Sequence, residues 1–214
     1  KAENTITSIA IYDDITEQYH CFILDKKGEV ETTDTIHTHT TEYDLLKSFM
    51  TKYLEISPTI LTGWNVEFFD MPYLFNRMIQ VLGYEMASCL SPIQFVKHID
   101  RKDKEKEQLS IKIAGVNILD YFQLYRKFTF SERASYRLDA IGDYELGQKK
   151  VEYEGTLNDL YENDINKFVE YNIHDVRLVK LLNDKLDFIE IARGLAHVGH
   201  VAYEDIFMSS RYLE

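Results

Sequence analysis

Cysteine, proline and positive charge are scarce in this chain, and long apolar runs are missing altogether. Two cysteines in 214 residues, Cys21 and Cys89, are too few for a disulfide framework. Reduced thiols in an intracellular setting are therefore expected. No run of about 18 apolar residues occurs, so the sequence carries no membrane-spanning helix signal. The opening Lys1-Ala2-Glu3-Asn4 has no apolar core of a signal peptide and no initiating Met, and the chain is expected to be a piece of something longer. Three prolines and no tract rich in Pro, Gly or Ser leave nothing that reads as a linker, which favours one domain. Neither an internal repeat nor a low-complexity tract is visible. Lys and Arg number 24 against 36 Asp and Glu, for a net charge of -12. That argues against holding nucleic acid by phosphate neutralisation alone. It leaves room for an enzyme that meets nucleic acid through metal ions, because carboxylate ligands themselves make a protein acidic. Apolar residues at 45% and charged residues at 28% are ordinary for a globular chain long enough to bury a sizeable core.

Thr5 to Tyr12 alternates polar and apolar side chains and is rich in Ile, so it reads as a strand, with Tyr19 to Leu24 as its partner. Thr41 to Glu55 places Leu45, Leu46, Phe49, Met50, Tyr53 and Leu54 at helical spacing after a Thr/Glu start. Thr59 to Gly63 is a short buried strand, and Met71 to Leu82 is helical, stopped at Gly83. Phe95 to Ile113 looks like an excursion. Its run Asp100 to Glu107 is nearly all charge of mixed sign, expected as a solvated hairpin tip or mobile loop, with a DNA-contacting tip as the alternative. Gly115 to Leu119 is another strand, followed by a helix through Asp120 to Lys127. After Ser135 the pattern is helical in several pieces, broken at Tyr153-Glu154-Gly155 and capped again at Thr156. This order predicts an α/β domain with a mixed sheet.

Two places carry candidate chemistry. Asn65-Val66-Glu67-Phe68-Phe69-Asp70 follows directly on the buried strand and its Trp64. A carboxylate there lies at the C-terminal edge of a sheet, where α/β proteins build their sites. Phe68 and Phe69 beside it would exclude water or stack on a base. The bland alternative is that Asp70 caps the helix opening at Met71-Pro72. The second place is Tyr171-Asn172-Ile173-His174-Asp175. Tyr171 and Asp175 are four apart and share a helix face, a pairing suited to holding a water beside a metal ion. The alternative is that Asp175 interrupts two helices and Tyr171 is packing. His174 lies on another face and reads as surface or structural.

Together these places resemble family B DNA polymerases. Asn65 to Asp70 is similar to their Asn-x-x-x-Phe/Tyr-Asp second exonuclease motif, and Tyr171 to Asp175 to their Tyr-x-x-x-Asp third motif. Ile118 to Phe128, Lys149 to Gly155 and Tyr171 to Val179 resemble T-even-phage-type members in order and spacing. The resemblance covers nearly the whole chain. It implies a ribonuclease-H-like fold: a mixed sheet flanked by helices, with a β-hairpin excursion. It also implies a 3′→5′ proofreading exonuclease using two divalent ions, Mg²⁺ or Mn²⁺, about 3.5–4 Å apart and held by four carboxylates at the reacting phosphodiester. Carried over by residue, Asp70 and Asp175 are expected as metal ligands and Tyr171 as the group positioning the attacking water. Lys150 falls where phage relatives have an active-site lysine, a surface lysine beside Lys149 being the other reading. Asn65 and Phe69 are expected to line the cleft for the 3′-terminal nucleotides of single-stranded or primer-template DNA. Asp120, at a strand end, reads as structural.

The family's first motif, Asp-x-Glu, lies on a central strand ahead of the segment resembling Thr5 to Tyr12. No Asp-x-Glu precedes Thr5 here, and Asp13-Asp14 sits in the following turn. The expectation is a fragment truncated at both ends, without its first central strand, with two of four metal-binding carboxylates absent and little activity of its own. Residues 1–190 are expected as the exonuclease domain and 191–214 as a helical segment leading towards the polymerase palm. A missing central strand exposes backbone edges, so self-association or a gap beside Thr5 to Tyr12 is expected. The family points to the cytoplasm of a bacterial or phage-infected cell and to no membrane partner. A stand-alone exonuclease and a non-catalytic nucleic-acid or protein-binding module are the alternatives.

Overall fold

In a computed structural model, residues 2–103, 106–148, 151 and 153–207 are described. The alternating segment at the start forms β1 (Ser8–Asp13), which pairs antiparallel with β2 (Gln18–Leu24). β3 (Ile36–His39) then adds parallel to the other side of β2, giving the order β1-β2-β3. The side chains of β2 alternate between two covered faces. Phe22 and Leu24 pack with Leu45, Phe49 and Met50 of α1 (Glu42–Ile56), while Cys21 and Ile23 pack with Phe168 and Val169. A strand covered on both sides needs no polar face, which is why Cys21-Phe22-Ile23-Leu24 is continuously apolar.

β4 (Ile60–Gly63) runs into a π-helical turn (Val66–Asp70) and then α2 (Met71–Leu82), followed by the short α3 (Tyr84–Ser88). The charged excursion is an antiparallel hairpin, β5 (Val96–Asp103) and β6 (Lys106–Ile113). Its base is anchored because Val96, Ile111 and Ile113 reach the core shared by α1 and α2. β7 (Asn117–Asp120) returns to pair parallel with β4 and leads into α4 (Tyr121–Phe128). Five helical pieces follow: α5 (Leu138–Leu146), α6 (Leu157–Asn163), α7 (Ile165–Leu186), α8 (Phe188–Gly199) and a 3₁₀ turn (Tyr203–Phe207). Leu119, Tyr121, Tyr125, Leu182 and Phe188 form a second core among these helices. Thr156 does cap α6, accepting from the Asp159 N–H while Asp159 accepts in return.

The sheet of β1, β2 and β3 is separate from the β4–β7 pair. Among the described residues β1 has a strand partner on one side alone, and its side chains are half-buried where those of β2 are buried. The fold is thus the expected mixed α/β arrangement with a hairpin excursion and an interrupted sheet. None of the described helices is long and apolar enough to cross a membrane.

Candidate nuclease site at the β4 and β7 strand ends

The parallel register of β4 and β7 sets Gly63 opposite Asp120. Immediately beyond, the chain must turn sharply: a Cβ on Gly63 would stand 3.2 Å from that of Val66. Asn65 takes up the left-handed conformation at φ 64°, which Asn tolerates better than most residues. The backbone N–H groups of Asn65 and Glu67 then reach the Asp120 carboxylate, one on each oxygen, both at 3.0 Å. Asp120 is fully buried and also caps α4 through the Phe122 N–H at 3.0 Å. Its role as a strand-end structural residue holds, but it extends to the motif-bearing turn. Burial raises its pKa, and the N–H donors from Glu67, Asn65 and Phe122 oppose that rise.

Asp70 lies at the end of the π-helical turn with helical backbone angles, φ -68° and ψ -49°, and makes no side-chain cap bond. The cap alternative is therefore corrected. The turn runs straight into α2, and the Met71 N–H donates to the Val66 carbonyl, so the helix start lies upstream of Asp70. Asp70 is exposed to water yet closely surrounded by protein. The cost of desolvating its charge, then repulsion from Asp120, pushes its pKa up to about 6. Phe69 is 64% exposed and lies nearly parallel to Tyr73, ring centroids 6.5 Å apart. Asn65 is exposed beside it.

One consequence concerns stability. Asp70 binds its proton more tightly folded, at about 6, than at its ordinary 3.8. Stability therefore falls as pH rises through that window, and the loss is complete above it. Because water reaches Asp70, screening leaves about 1–2 kcal/mol of this penalty. Asp70→Asn is expected to stabilise the chain by that amount at pH 7 and by nothing at pH 3, measured by urea unfolding at both pH values.

The third motif lies within the single helix α7, so the alternative in which Asp175 interrupts two helices does not hold. Tyr171 and Asp175 are brought together on one face, with their side chains hydrogen-bonded. Burial first, and then the Asp175 charge, raise the Tyr171 pKa and keep the phenol protonated. The Tyr153 ring meets that of Tyr171 edge-on at 5.5 Å. Asn172 fixes this face of α7 against β1, accepting from the Ser8 hydroxyl at 2.8 Å. His174 is half-buried, consistent with a structural place. Lys150 lies outside the described residues.

Sequence reasoning passed over Glu67, which is buried in the motif turn and accepts from the Gln123 amide at 2.6 Å. It borders a cavity of about 180 Å³ at the foot of the hairpin, with Ser110 and Lys112. Its position inside the motif was the one available signal. Among the described residues, no group of three or more His, Cys, Asp or Glu side chains is gathered so as to hold a metal ion.

Comparison with known proteins decides the lineage. The model for the exonuclease domain of DNA polymerase family B matches residues 1–141. This chain belongs to the family B DNA polymerases. The DNA-directed DNA polymerase of Escherichia phage RB69 is 35% identical over 168 residues, covering 78% of this chain and 18% of that protein. That of Enterobacteria phage T4 is 30% identical over 233 residues, covering 96% and 26%. The DNA polymerase catalytic subunit of human herpesvirus 6A is 29% identical, covering 85% and 19%. The chain thus spans about a quarter or less of the length of these polymerases. The T4 polymerase match covers nearly all of this chain, so the kinship extends past residue 141, where Tyr171 and Asp175 lie.

Proposed function

We propose that this chain serves as the 3′→5′ proofreading exonuclease region of a replicative family B polymerase, acting on single-stranded DNA 3′ ends. The observation that carries the reading is Asp70: a carboxylate at a helix entry, open to water, with a raised pKa and no cap bond. Its hard oxygens, with those of Asp175, fit Mg²⁺ or Mn²⁺ as part of a ligand set. When bound, such ions supply positive charge that acidifies water and neutralises the phosphodiester.

The residues of this chain do the rest. Tyr171, kept neutral, and Asp175 hold and orient the attacking water, Asp175 accepting a hydrogen bond as the proton begins to leave. Phe69, exposed beside Tyr73, offers a stacking face for the terminal base, and Asn65 lies within reach of the same strand. Lys150 is proposed as a further cation for the phosphate. Residues 1–190 form the exonuclease unit, and 191–214 lead towards a palm. The protein works in the cytoplasm of a bacterial or phage-infected cell, on primer-template DNA, away from membranes.

The polymerase containing this chain is expected to shorten a 5′-labelled single strand from its 3′ end in Mg²⁺ and not in EDTA. The isolated 214 residues, which bring Asp70 and Asp175 alone of four expected carboxylates, are expected to do so far more slowly. Equal, vigorous cleavage by both would contradict this ligand assignment. The side of β1 without a strand partner among the described residues is also where a second copy of the isolated chain would pair. Sedimentation should show concentration-dependent dimers, and a monomer at all concentrations would exclude that pairing.

A further inference from the structure

An aspartate just before a helix ordinarily turns its carboxylate onto the first free N–H groups of that helix. Asp70 does not, because the π-helical turn Val66–Asp70 feeds directly into α2. The free N–H groups of the continuous helix are therefore those at the start of the turn. Asn65 and Glu67 donate theirs to the two oxygens of Asp120, 55 and 53 residues further along the chain. The same carboxylate accepts from Phe122 and from the backbone of Gln123 at the entry of α4. One fully buried side chain thus caps two helix starts, one of them across the strand pair.

We propose that Asp120 is a positioning residue for Asp70. By holding the N–H groups of Asn65 and Glu67 it fixes the π-helical turn, and the turn leaves the Asp70 carboxylate facing water and not the end of α2. The link to catalysis rests on reading Asp70 as a metal ligand, but the positioning itself is testable without metal.

In the unchanged chain, through-hydrogen-bond NMR couplings are expected from the amide nitrogens of Asn65 and Glu67 to the side-chain carboxyl carbon of Asp120. Their absence would overturn the proposal even if every Asp120 variant failed to fold. In Asp120→Asn, the amides of Glu67 and Met71 are expected to exchange roughly tenfold faster or more, as the turn opens. The helix start then retreats to Met71, Pro72 offers no N–H, and Asp70 takes up the Tyr73 N–H as a cap. Asp70→Ala should leave Tyr73 exchange unchanged alone and accelerate it in the Asp120→Asn background. A role confined to capping α4 predicts faster exchange at Phe122 with Glu67, Met71 and Tyr73 unmoved, and that result would refute the positioning. Mn²⁺ titration of the proposed polymerase, in which all four expected carboxylates are present, separates the two ideas: no broadening at Asp70 refutes the metal reading and leaves the exchange result standing.

Discussion

Replacing Asp120 by leucine is expected to destabilise the fold by about 3–5 kcal/mol, read as a lower urea midpoint with unchanged slope. Exchanging a buried charge for an apolar side chain is often neutral when its partner can be exchanged too. Here the partners are main-chain N–H groups of Asn65, Glu67 and Phe122, which no substitution removes. Leucine would leave them without these acceptors at the point where β4 and β7 end, the Glu67 N–H in a buried setting and the other two in part-buried ones. Asp120→Asn keeps one acceptor oxygen and should cost about half as much. A loss below about 1 kcal/mol for leucine would mean that water reaches these N–H groups and that Asp120 holds neither helix start.

The dependence on one carboxylate explains what the sequence could and could not disclose. α2 is legible because Pro72 and Gly83 punctuate a clear apolar period, and the hairpin is legible as an excursion because its sequence breaks the apolar pattern on either side. β3 is not: Ile36-His37-Thr38-His39 has neither the composition nor the pattern of a strand. It is held by backbone pairing to β2 and by His37 stacking on Phe22 at 4.6 Å. The π-helical turn is equally hidden, since no side-chain pattern distinguishes it from the start of an ordinary helix. Locally, Asp70 before Met71-Pro72 fits a cap as well as it fits a site. The choice is made by Asp120, which arrives through a strand register 57 residues away between Gly63 and Asp120. The pair Tyr171 and Asp175 needed only helical spacing, and there the sequence was sufficient.

The largest expected effect on function comes from Asp175. In the proposed parent polymerase, Asp175→Asn is expected to lower exonuclease turnover roughly 10²–10³-fold, with polymerisation unaffected. The substitution preserves shape and removes the charge that would both hold a cation and orient the Tyr171 hydroxyl. Tyr171→Phe removes one hydrogen bond and leaves the carboxylate, so a loss of about tenfold is expected. The order of the two effects matters more than their size. A hydroxyl acting as the proton acceptor would make Tyr171→Phe the more damaging change, but burial and the neighbouring carboxylate keep that phenol protonated. Single-turnover digestion of a labelled strand, with primer extension as the internal control, measures both.

Asp70 and Asp175 are proposed to share one cation pocket, although the first leaves a turn after β4 and the second lies midway along α7. Carbon-detected NMR of side-chain carboxyls during Mn²⁺ titration addresses this most directly. The account predicts that the Asp70 and Asp175 signals broaden together with one midpoint, while Asp164, occupied in capping α7 through the Lys167 N–H, stays sharp. Broadening of either signal alone, or of the two with unrelated midpoints, would contradict it.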